Sequence, residues 1–231
     1  MSMNTYYLRA RLFPSVITII PFFIATNSIV VKNYDEELSA ILEVLPILTS
    51  LGISLALIFL LTQINRILSK EIFQRFYFKE ETNMPTTNFL LWEDDTFEEQ
   101  IKKLIYEKIH SKYDITLMLP DEEIQDEGSA RKRIVAAVSQ IRNGLRSNEL
   151  LFQHNIEYGF FRNLLGGSVI AFMFSLAIIA YSHWHSNENL FTIGIFLSII
   201  YLLPILLSKK ILSIFGKNYA KILYEQFLSQ G

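Results

Sequence analysis

The sequence predicts an all-α membrane protein: four transmembrane helices, with a small and mainly helical insert between the second and the third. Three observations predict it. Apolar runs at Phe13–Val31, Ala40–Gln63, Leu164–Trp184 and Leu190–Ser208 each approach the ~20 residues that cross ~30 Å of hydrocarbon. These runs contain a lone carboxylate, Glu43, and no Lys or Arg, although 19% of the chain is charged. Between the second and third run lies a polar stretch, residues 65–163, whose apolar positions recur at three- and four-residue spacing.

Hydrophobic residues make up 51% of the 231-residue chain, and the net charge of −2 conceals strong segregation. The absence of cysteine excludes disulfides, thiolate metal sites and cysteine nucleophiles, and fits a bacterial inner-membrane protein facing the cytosol. Arg9 and Arg11 precede the first run, no small-x-small cleavage site follows it, and a second run comes soon after. It therefore reads as a retained helix rather than a cleaved signal peptide.

Lys and Arg placement sets the orientation. Arg9, Arg11, Arg66, Lys70, Arg75, Arg162, Lys209 and Lys210 flank the runs on one side. On the other side, loop 32–39 offers Lys32 against Asp35, Glu36 and Glu37, and loop 185–189 has no Lys or Arg. Both termini and the insert are thus expected in the cytoplasm, with Tyr6, Tyr7, Tyr181 and Trp184 at the interfaces.

The expected organisation is a transmembrane hairpin over 1–64, a cytosolic sensing domain over 65–163, a second hairpin over 164–208 and a tail helix over 209–231. Pro14 is placed in the first helical turn, where its missing N–H is harmless. Pro21, Pro46 and Pro204 fall inside spans, and each frees a carbonyl that a neighbour or water must satisfy. Ile64, Ile67, Leu68, Ile72 and Phe76 extend the second span as a helix. Asn88–Trp92 reads as a short extended piece. Thr96 and Glu99 have capping-box spacing before a helix with Phe97, Ile101, Leu104, Ile105 and Ile109 on one face and Glu98, Glu99, Lys102 and Lys103 on the other. A further helix is expected over Ala130–Arg146, and an amphipathic tail over Ile211–Leu228. An insert of this size buries little core alone, so it should lean on span extensions or on sister subunits.

Ala130–Arg146 is the most informative polar segment. It carries Arg131, Lys132, Arg133, Arg142 and Arg146 and no acidic residue. On a helical wheel Arg131, Arg142 and Arg146 fall within about 60°, beside the stripe Ile134, Val138, Ile141 and Leu145. Guanidiniums on one face suit phosphate by bidentate contact, so Arg131, Lys132, Arg142 and Arg146 are the candidate polyanion site. A solvated face, or salt bridges to Asp121–Glu127, is the competing reading. Trp92, Tyr106, Tyr113 and Phe152 would offer stacking faces to a single strand. In the membrane, Asn27, Glu43, Ser50 and Ser54 are the pore-lining candidates, because ionisable and polar groups in spans face protein or water. The acidic runs 93–95 and 121–123 precede helix starts, where carboxylates are favoured. The histidines are dispersed and no catalytic motif occurs. The chain reads as a non-enzyme without metal or cofactor.

Three stretches occur together: Leu8-Arg9-Ala10-Arg11-Leu12-Phe13-Pro14, Pro85-Thr86-Thr87-Asn88-Phe89-Leu90-Leu91, and Asn155-Ile156-Glu157-Tyr158-Gly159-Phe160-Phe161-Arg162-Asn163-Leu164. They resemble four-span membrane effectors of bacterial anti-phage defence systems, of the Hailong type. The resemblance implies a partner nucleotidyltransferase that makes a short DNA oligomer, and a membrane-disrupting channel under its control. It also implies a tetramer. Phe161 stands where a second basic residue is expected before Arg162. The leading expectation is a homo-oligomeric, ligand-gated pore that binds a nucleotide or oligonucleotide in its cytosolic domain and acts in abortive infection. The alternative is a membrane-anchored scaffold or sensor that recruits a cytosolic defence partner without forming a pore.

Overall fold

The computed structural model describes residues 3–31, 53–79 and 81–230. Its long helices are α1 (Tyr7–Ile29), α2 (Ile53–Leu68), α3 (Glu99–Tyr113), α4 (Glu127–Gly144), α5 (Glu149–Trp184), α6 (Glu188–Leu206) and α7 (Ser208–Ser229). The described residues contain no strand. They divide into two compact units: Gln74–Tyr158 with Lys210–Gly231, here the module, and Ser2–Phe73 with Gly159–Lys209, here the bundle.

α1, α5 and α6 are each long and apolar enough to cross a bilayer. Of the predicted second span, Ala40–Gln63, residues 40–52 lie outside the described residues, as does loop 32–39; the remainder is helical and continues to Leu68. The bundle buries many polar side chains beside an apolar cluster of Ala25, Ala171, Ile178, Leu197 and Tyr201, and leaves large apolar ones exposed. Ser15, Thr18, Thr62, Asn65, Ser69, Asn163, Ser168 and Ser175 are buried, while Phe13, Phe23, Phe59, Met173, Phe196 and Leu206 are exposed. Polar side chains buried between helices and large apolar ones on the outer surface suit hydrocarbon.

The bundle's polar interior has a specific task. The helical chain begins before Pro14, at Met3–Tyr6, and opens into π-helical turns over Tyr7–Leu12, so Pro14 lies within the helix and not in its first turn. A proline cannot donate to the carbonyl four residues back. For Pro14 that carbonyl is Ala10, which accepts from Asn163 Nδ2 of α5 at 2.6 Å. For Pro21 it is Ile17, which accepts from the Tyr201 hydroxyl of α6 at 2.6 Å. Asn65 Nδ2 of α2 donates to Ser15 Oγ at 3.1 Å and Thr18 Oγ1 at 3.2 Å. Glycines allow this approach: a Cβ at Gly166 would lie 2.1 Å from the Asn65 carbonyl oxygen, and one at Gly167 would lie 2.4 Å from Thr18 Oγ1.

The module is built around Leu90, Ile105, Ile109, Ile134, Ile141 and Leu145, closed by Leu223, Tyr224 and Phe227 of α7. The expected extended piece at Asn88–Trp92 is not a strand. Pro85–Asn88 forms a helical turn and the chain coils on through Trp92. Phe89, Leu90 and Leu91 are consecutively buried, which an alternating strand packed on one face cannot achieve. Thr96 does not cap α3; its N–H bonds Asp94 Oδ1 at 2.9 Å and Glu98 holds the N-cap position without a side-chain bond.

Lys102, expected on the solvent face, is 2% exposed. Its ammonium donates to the carbonyls of Leu91 at 2.5 Å and Trp92 at 3.3 Å, and to that of Asp94. These bonds hold the turn before α3 and explain the displaced cap. Burial lowers the Lys102 pKa, with Asp94 and Glu123 opposing. Glu123 is buried beside this turn and accepts the Trp92 N–H at 2.8 Å. Burial raises its pKa above 4.5, against the Trp92 bond and the Lys102 charge.

Two outcomes follow for stability. Tyr201→Phe leaves the Ile17 carbonyl without its donor and should cost about 0.5–2 kcal/mol. Gly166→Val should cost clearly more, because its Cβ meets fixed backbone. Thermal unfolding in detergent ranks the two, and the reverse order would contradict the packing described. For Glu123, the folded state holds its proton more tightly than the unfolded state, so its contribution declines as pH rises above about 4.5. Glu123→Gln should therefore flatten the fall in stability on the alkaline side of that value, measured as unfolding midpoint against pH.

Candidate anion site

α4 begins at Glu127, three residues before the predicted start, and is capped by Asp126, whose side chain accepts the Ser129 N–H at 3.0 Å. Ile134, Ala137, Val138 and Ile141 are buried, which turns the flanking basic residues toward the module's edge. The helix ends at Gly144, and Leu145–Ser147 form a turn into Asn148. Asn148 caps α5 through the Leu151 N–H at 2.9 Å and donates to Gln226 Oε1 at 2.7 Å. Arg146 thus lies beyond the helix and not on the face that a continued helical wheel assigns it.

The remaining basic residues have different surroundings. Arg131 is coordinated all round: Nη2 lies 2.6 Å and Nε 2.7 Å from Glu127 Oε1. Its Nη1 donates to the Thr82 carbonyl at 2.8 Å and to Asn88 Oδ1 at 2.7 Å. It fastens segment 81–88 to α4, and the Glu127 contact is one of the salt bridges weighed against ligand binding. Lys132 is exposed. Arg133, also exposed, approaches the Thr116 carbonyl at 3.4 Å.

Arg142 is held far more loosely. Its Nη1 lies 3.7 Å from Glu81 Oε1 and its Nη2 lies 3.4 Å from Thr86 Oγ1. Its Cζ sits 6.0 Å from the Tyr219 ring centroid. Its Nε is buried with no hydrogen-bond partner among the described residues. Charge-assisted N–H···O bonds are normally 2.7–2.9 Å. Of the two α4 arginines that turn onto segment 81–88, Arg142 is the one with donor capacity left for an anion.

The four predicted basic residues are therefore not equivalent. Arg131 and Arg142 both turn onto segment 81–88, while Lys132 and Arg146 project to solvent. The proposed stacking faces are largely committed to packing. Trp92 lies 4.9 Å from Tyr106 and donates Nε1–H to the Met118 carbonyl. Tyr106 donates to the Leu90 carbonyl, and Tyr113 stacks on Phe227 at 6.1 Å. The acidic run at 121–123 sits inside the helical turn Pro120–Gln125, where Glu122 accepts the Leu119 N–H at 2.9 Å. The described residues contain no group of three His, Cys, Asp or Glu placed to hold a metal.

In the bundle, Asn27 is exposed and lies in the π-helical turn Thr26–Val31. Ser54 lies in the first turn of α2. Glu43 and Ser50 lie outside the described residues. Sequence reasoning passed over Tyr201 and Glu81, assigned no contact to Asn163, and put Lys102 on the solvent face. Gly166-Gly167-Ser168 inside an apolar run is the signal that marks a close helix crossing. Compared with protein families, curated proteins and solved structures, the chain matches none.

The contrast between the two arginines is testable without a ligand. Arg131→Gln removes an ion pair and bonds to fixed acceptors, and should lower stability by about 1–3 kcal/mol. Lys132→Gln should change it by less than about 0.5 kcal/mol. Unfolding of the full chain in detergent, followed by helical circular dichroism, measures both.

Proposed function

We propose that this chain is a four-span, homo-oligomeric membrane effector of the anti-phage defence kind. In this reading its cytosolic module binds an anionic nucleotide or short oligonucleotide, and binding gates a pore. The observation that carries the reading is the burial pattern of the bundle: serines, threonines and asparagines are buried, and many large apolar side chains are exposed. Such a surface suits lipid. The same chain carries a helical module with a soluble-type core and an under-coordinated arginine. Those two parts are what a sensor of a cytosolic ligand with a membrane output requires.

The fourth span is the apolar run that ends in α2, and the Lys and Arg distribution favours both termini and the module in the cytoplasm of a bacterial inner membrane. Two hairpins are too few helices to surround an aqueous path, so in this reading conduction needs several copies around an axis. A tetramer rests on the resemblance to Hailong-type effectors alone, as does a partner nucleotidyltransferase as source of the ligand. Asn27, Glu43, Ser50 and Ser54 are the proposed pore-lining residues. Arg142 is the proposed contact for phosphate, with Lys132 and Arg146, both exposed, as further proposed contacts. Coupling of the ligand to the pore needs only a preference for one state by ~1–3 kcal/mol.

Reporter fusions at residues 120 and 187 should report opposite sides of the membrane, cytoplasmic and external. Purified protein in liposomes should leak ions, and a short single-stranded DNA oligomer should change that leak. Identical sides for the two fusions would refute the topology. Tight liposomes with and without the oligomer would favour the scaffold, which docks a partner protein and conducts nothing.

A further inference from the structure

We propose that Glu81 is a built-in competitor for Arg142, so that an anionic ligand gains the guanidinium by displacing this carboxylate. The inference rests on the reading of Arg142 as the anion contact and names how that contact is regulated. Arg142 and Arg131 lie on one helix and serve one segment, yet only Arg131 has short bonds. Glu81 stands 3.7 Å from Arg142 Nη1, with the two side chains 50% and 29% exposed. That separation is beyond hydrogen-bond distance, so the pair is held by charge with water access and is weak. A phosphodiester offers two oxygens in the geometry of a guanidinium fork, and one half-exposed carboxylate at this distance does not match it.

The local backbone makes the exchange possible without unfolding. The Glu81 carbonyl is fixed by the Thr87 hydroxyl at 2.7 Å and the Met84 N–H at 3.3 Å. The Thr86 carbonyl accepts from the buried Tyr224 hydroxyl. Arg131 holds the Thr82 carbonyl and the Asn88 side chain. The segment stays in place while the Glu81 side chain rotates into solvent and the ligand takes its position. On the inner side Arg142 remains supported by Thr86 and the Tyr219 ring. Glu81 thereby sets the threshold for binding: weak anions fail to displace it, and a ligand with several phosphates succeeds.

The test uses the full chain in detergent and a fluorescently labelled single-stranded DNA oligomer, titrated by anisotropy at two salt concentrations. Glu81→Gln and Glu81→Ala should each tighten binding about two- to five-fold, the range of one exposed ion pair. Glu99→Gln, which neutralises an exposed carboxylate on α3, should leave affinity unchanged. The gain from Glu81→Gln should vanish when Arg142→Gln is also present. If Arg142→Gln weakens binding but Glu81→Gln changes nothing, or if the gain persists without Arg142, the competitor role is overturned and the anion contact stands. If Arg142→Gln binds like the native chain, or the native chain binds no oligomer, the anion site itself is wrong. Unchanged helicity and melting in the Glu81 variants separate these outcomes from loss of fold.

Discussion

Backbone carbonyls freed by proline dictate how this bundle is assembled. In hydrocarbon no water replaces a missing N–H, so each freed carbonyl needs a donor from the protein. α1 carries two prolines, and its Ala10 and Ile17 carbonyls take Asn163 from α5 and Tyr201 from α6. The prolines that weaken α1 as an isolated helix thus fix which helices pack against it and at what height. Asn65 adds α2 to the same junction through Ser15 and Thr18. Gly166 and Gly167 keep the backbones close enough for short side chains to reach. Apolar packing holds such helices together with little directional preference, and the polar contacts supply the register.

The module reaches order by a different route. Its core is a conventional apolar cluster, and its polar residues act on loops. Lys102 gathers the carbonyls of Leu91, Trp92 and Asp94, and Arg131 gathers those around Thr82 and Asn88. Both are cations serving neutral acceptors, each worth more than a neutral donor would be. Arg142 occupies a comparable position without comparable bonds. A coordinated arginine is structural cement, and an under-coordinated one retains capacity for a ligand.

The helical class and the apolar spans are legible because they are one-dimensional: run length and period survive without tertiary knowledge. The stripe on α4 is legible for the same reason. Proline's demand for a donor is legible at Pro21, but the identity of the donor is not, since Tyr201 is remote in sequence. Pro14 is misplaced in a first helical turn because the polar, Arg-bearing residues before it hide the earlier start of the helix. Lys102 misleads because periodicity assigns it to the polar face, while the ammonium follows three carbonyls bent inward by the preceding turn. The site residues separate only in three dimensions. Arg131 and Arg142 look alike on a wheel, and the acceptors that distinguish them come from residues 81–88.

Because α7 closes the module's core, the order of synthesis constrains when that core can form. Leu90, Ile105 and Ile141 leave the ribosome well before Leu223, Tyr224 and Phe227, and the apolar runs of α5 and α6 come between. At synthesis rates of about 5–20 residues per second, the roughly 75 residues from Leu151 to Phe227 take on the order of 4–15 s. During that interval the insert lacks one wall. Completion of the module is therefore tied to synthesis of the two apolar helices α5 and α6, and its core closes only after both have been made.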